Sequence, residues 1–87
     1  MPNPLPSRFE FLRIEANLAM TFIGSARSYS SPENSARALG NARAALKQIR
    51  RGLVNPIGLA IEEMEFLEQR CIEIESTLLA FGPAAQL

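Results

Sequence analysis

IGLAIEEMEFLEQRCIEIESTLLAF, residues Ile57 to Phe81, is the stretch whose reading decides the fold. Taken at alternating steps of three and four, it places Ile57, Ala60, Met64, Leu67, Cys71, Ile74, Leu78 and Phe81 on one line, and every one of them is apolar. That period belongs to a helix with one committed buried edge. Ile61, Ile72 and Leu79 flank the line on one side and Leu59 and Phe66 on the other. An arc that wide needs at least two helical neighbours.

Upstream, Leu39, Ala42, Leu46, Ile49 and Leu53 repeat in the same way, bordered by Ala36, Ala38 and Ala45. Methyl-lined faces let helix axes approach closely. Ser31 before Pro32 offers a cap followed by proline at the first helical position, and Gly52 after Arg50 and Arg51 reads as a C-terminal stop. Before that helix, Leu5, Phe9, Leu12, Ala16, Ala19, Ile23 and Ala26 form a further line, widened by Phe11, Leu18 and Phe22. Ser7 and Glu10 stand at capping-box spacing ahead of it. The alanines Ala19 and Ala26 are the natural partners of the methyl face of the second helix.

The expected fold is all-α, an antiparallel up-down-up bundle of three helices at about 7–28, 32–51 and 56–81, in one domain. Asn55–Pro56 serves as the cap of the third helix, and Gly82–Pro83 as its stop. Residues 1–6, with prolines at 2, 4 and 6, read as an extended arm, and 82–87 as a frayed tail. Connections of about three or four residues make neighbours antiparallel.

Composition narrows the chemistry. The 87 residues contain no histidine, tryptophan or aspartate, and nine glutamates balance nine basic residues. Most acid–base catalysis and metal ligation lose their usual side chains, so enzymatic activity and cofactors are not expected. A single cysteine, Cys71, on the buried line, makes no internal disulfide. With no basic leader running into an apolar segment and no apolar run long enough to span a bilayer, the reading is a soluble cytoplasmic protein.

Charge is segregated. The second helix carries Arg37, Arg43, Lys47, Arg50 and Arg51 against Glu33, and the third carries six glutamates against Arg70. A hairpin of the two brings opposite signs together, with Arg43 and Glu68 level. Arg43, Lys47, Arg50 and Arg51 form a candidate basic patch for phosphates, but no aromatic residue is interleaved for base stacking. Glu62, Glu65 and Glu68 share a face without any histidine to complete a di-iron site, so a solvated face is expected. Glu15 and Glu63 lie inside the apolar arcs at a similar expected height, either at a polar site or at the rim.

The stretch ARALGNARAALKQIRRGL, Ala36 to Leu53, resembles the small-residue pattern of helical-repeat and microtubule-interacting-and-transport modules. Its Asn41-Ala42-Arg43-Ala44-Ala45 segment is similar to small bacterial all-helical proteins of unassigned function with an Asn-Ala-Arg-x-Ala second helix. These resemblances imply a helical hairpin and no particular activity.

The functional expectation is a protein–protein interaction module that pairs with itself. Phe11, Leu18, Phe22, Leu59 and Phe66 are the candidate interface, expected as one patch between the first and third helices. The alternatives are a nucleic-acid-associated module using the basic patch, and a carrier of an apolar ligand in a cavity near Phe11 and Phe66.

Overall fold

A computed structural model describes residues 7–81 and shows three helices, α1 (Arg8–Ser28), α2 (Pro32–Val54) and α3 (Ile61–Leu79). The arm at 1–6, the tail at 82–87, Leu5 and the Gly82–Pro83 stop lie outside the described residues. Ser7 starts α1 by accepting the Glu10 amide at 3.1 Å, the serine half of the expected box. Ser31 accepts the Asn34 amide at 3.4 Å and Pro32 opens α2.

Between α1 and α2 only Tyr29, Ser30 and Ser31 intervene, and the Ser35 hydroxyl donates to the Ala26 carbonyl at 2.8 Å. That bond satisfies one of the carbonyls that the end of α1 leaves without a helical partner. The two helices run antiparallel and make the most extensive packing in the molecule. Ala16, Ala19, Ala26, Ala38, Ala42 and Ala45 are all buried there, as the methyl faces require. Gly52, expected as the end of α2, instead lies inside it, because the close approach continues to that point. A Cβ built on Gly52 would sit 2.6 Å from Leu12 Cδ1.

Two differences from the expected course occur between α2 and α3. α2 runs on to Val54, and α3 begins at Ile61, so the connection is six residues, 55–60. Asn55 caps the C-terminus of α2, its amide donating to the Arg51 carbonyl at 3.3 Å, and does not start α3. Pro56, Ile57, Gly58 and Leu59 form a turn closed by the Leu59 amide on the Pro56 carbonyl at 3.0 Å. Gly58 has φ +84°, the backbone that a type II turn demands at its third position and that glycine supplies without strain. The turn lifts Ile57 and Ala60 off the helical line, and both are exposed.

From Met64 onward the line holds: Leu67, Cys71, Ile74 and Leu78 are buried, with Met64 and Phe81 half-buried. The Phe66 ring stands edge-on to Phe9 at 5.6 Å, and the Arg27 guanidinium lies 5.6 Å from the Phe81 ring centre. Low numbers meet low and high meet high, so α3 runs parallel to α1. The up-down-up bundle forms as expected. None of the three helices is long and apolar enough to cross a membrane.

Candidate functional site

Of the residues expected at an interface, α1 presents Phe11 and Leu18 to solvent at 53% and 41% exposure, with Ile14 between them at 44%. Phe22 is half-buried on the same side, in a groove shared with Asn34, Arg37, Ala38 and Asn41 of α2. At about 100° per residue this stripe lies roughly half a turn around α1 from Phe9 and Arg27 and roughly 100° from Asn17. Phe9 and Asn17 meet Phe66 and Arg70 of α3, and Arg27 lies against Phe81 just past its end. Phe66 and Leu59 pack on the other side, Phe66 against Phe9 and Leu59 against the core. The expected single patch between α1 and α3 therefore separates into two places. The reason is rotational: the alanine-rich edge of α1 turns toward α2, which swings the Phe11 flank away from α3.

Glu15 and Glu63 are also parted. α3 begins five residues later than expected, so Glu63 falls in its first turn, where its carboxylate accepts the Ala60 amide at 2.9 Å. This is the glutamate half of a capping box whose other half is missing, since Ala60 has no side-chain oxygen. Glu15 sits half-buried in the middle of α1. They do not form a common polar site.

The basic patch takes a form that the sequence did not reveal. Arg43, Lys47, Arg50 and Arg51 rim a groove of about 640 Å³ between α2 and the C-terminal half of α3. Its floor is Leu46 and Leu78, both buried, and Val54 and Leu79 stand on its lips at 85% and 64% exposure. On the α3 wall only Glu75 is charged, and it pairs with Arg50. Both side chains are about half-exposed, so the pair contributes no more than ~1 kcal/mol. Arg43 is not paired with Glu68 as the hairpin register suggested. Its Nη2 is sealed from solvent without a hydrogen-bond partner. The sequence signal that bears on this groove is Leu79, which with Ile61 and Ile72 forms an apolar flank of α3 that stays exposed.

Two arginines outside the expected sites hold α3 in place. Arg70 donates to Asn17 Oδ1 at 3.2 Å and to Glu73 at 2.6 Å, tying α3 to α1. Arg8 donates to the Ile57 carbonyl and, at 3.5 Å, to the Gly52 carbonyl, bracing the α2–α3 connection from the start of α1. Cys71 is buried, and desolvation pushes its thiol above the ordinary range, with Arg50 pulling down and Glu68 pushing up more weakly. A thiol held protonated is a poor nucleophile. No family model, no curated protein and no solved structure matches this chain.

Proposed function

We propose that this is a non-enzymatic interaction protein of the cytoplasm that pairs with a second copy of itself through the outer stripe of α1. The observation that carries the reading is the exposure of Phe11, Ile14 and Leu18 on a helix whose other edge is already buried. With Phe22 the stripe proceeds in steps of three, four and four, and read from the other end in steps of four, four and three. Two antiparallel copies can thus set Ile14 against the partner's Leu18 and Phe11 against the partner's Phe22, about a two-fold axis. An isologous contact requires that kind of self-complementarity. Buried, the protonated Cys71 and the absence of histidine and aspartate support a role without catalysis.

The test is absolute mass by light scattering over a wide concentration range. A dimer of the 9.6 kDa chain is expected, with Leu18→Glu returning it to monomer while the far-ultraviolet circular dichroism stays unchanged. A wild-type protein that remains monomeric at every concentration refutes the reading.

A further inference from the structure

The α1 stripe leaves the groove between α2 and α3 unexplained, and that groove has a chemistry of its own. Its floor is aliphatic, its α2 wall bears Arg43, Lys47, Arg50 and Arg51, and its α3 wall bears Glu75 as the only charge. From Arg43 to Val54 the α2 wall runs for roughly 17 Å, about three turns of helix. A linear amphiphile would fill the floor of Leu46 and Leu78 and leave Val54 and Leu79 in water. Nucleic acid would meet the cations but offer nothing to the aliphatic floor, and its phosphates would face Glu75. A helix laid along the groove covers floor and lips together, as grooves of this kind do when they hold amphipathic segments.

We propose that this groove receives a helix from another protein, about three turns long, with an aliphatic edge and carboxylates on one flank. The aliphatic edge lies over Leu46, Val54, Leu78 and Leu79, and the acidic flank faces Arg43, Lys47 and Arg51. Glu75 sets the orientation, because a helix acidic on both flanks would bring a carboxylate against it. Arg43 gives a second reason for an anionic partner. Its guanidinium lines the wall and, among the described residues, forms no ion pair, so the nitrogens other than the sealed Nη2 are left for an incoming carboxylate.

The experiment uses the full chain carrying Leu18→Glu, so that self-association through α1 does not enter. Two hydrocarbon-stapled fluorescent peptides are compared by anisotropy, each with leucine along one edge, the first with glutamates on one flank and the second with lysines in their place. The glutamate peptide is expected to bind at least tenfold more tightly at low salt, with the advantage shrinking as ionic strength rises. Val54→Asp, an exposed position that folding does not depend on, should abolish binding of the glutamate peptide, and Lys47→Glu with Arg51→Glu should reverse the preference. Equal binding of the two peptides, or binding of neither, overturns the proposal. So does a doubling of mass of the Leu18→Glu protein that Val54→Asp reverses, since the occupant would then be a second copy of this chain.

Discussion

A methyl group on Gly52 would meet Leu12 Cδ1 at 2.6 Å, whereas one on Gly40 would meet nothing within 4 Å. Both glycines lie inside α2, and helix propensity favours alanine at each by up to about 1 kcal/mol. The outcomes should nevertheless have opposite signs. Gly40→Ala should stabilise by about 0.5–1 kcal/mol. Gly52→Ala should destabilise by about 1–3 kcal/mol, because the buried Leu12 side chain must shift to admit the methyl. Urea unfolding of the two variants decides it. Cys71 supplies a pH dependence. Its thiol keeps its proton in the folded protein to higher pH than in the unfolded chain, where the ordinary value is about 8.5. Above that value the unfolded state binds fewer protons, so stability is complete below it and falls as pH rises toward the folded thiol's own pKa. The urea midpoint in reductant should decline over that window, and Cys71→Ala should flatten the decline. Sequence periodicity placed Cys71 in the core directly. It misread Gly52 as a stop, because a glycine after two arginines at a helix end and a glycine at a helix crossing look alike until the neighbouring helix is present.

At the level of the element, α3 shows how a start is chosen. Asn55–Pro56 has the composition of a helix start, yet α2 uses Asn55 as its own end and Gly58 turns the chain before α3 begins. The start that forms, at Ala60, has only the Glu63 half of its capping box. Ala60→Ser should therefore complete it and stabilise the protein by about 0.5–2 kcal/mol, read as a shift in urea midpoint without a change in slope. Glu63→Ala should lower stability by removing the remaining half. Arg8 belongs to the same economy of helix ends: the Gly52 carbonyl is among the last four of α2, which have no helical donor, and a guanidinium from α1 reaches it. Arg8→Ala is expected to speed amide exchange at Leu59, whose amide closes the turn at 56–59. Neither the cap at Ala60 nor the Arg8 brace had a local signature, since one rests on a turn that competes with the helix and the other on a contact across 44 to 49 residues.

For the whole molecule, the packing is uneven, and the proposed contacts lie where it is thin. α1 and α2 close tightly on alanine, and α3 lies against both with less contact. The tight pair turns the Phe11 stripe outward, and the looser third helix leaves the basic-walled groove open. Self-association should then respond to Leu18→Glu and not to Val54→Asp, and binding of an acidic helix should respond in the opposite way; light scattering and anisotropy on both variants check it. A chain this small buries only about 60–65% of its unfolded surface, so covering either surface adds appreciably to stability. A melting temperature that rises with protein concentration is expected for the wild type and should disappear in Leu18→Glu. By itself the sequence determined the number of helices, their buried lines and their antiparallel order, because periodicity and short connections act within a few turns of chain. The tertiary structure alone decided how each helix is rotated about its axis, and with that which flank meets a neighbour and which meets water. That rotation is set by the competition among all three interhelical contacts at once, here won by the alanine faces of α1 and α2, and no single stretch of the chain contains it.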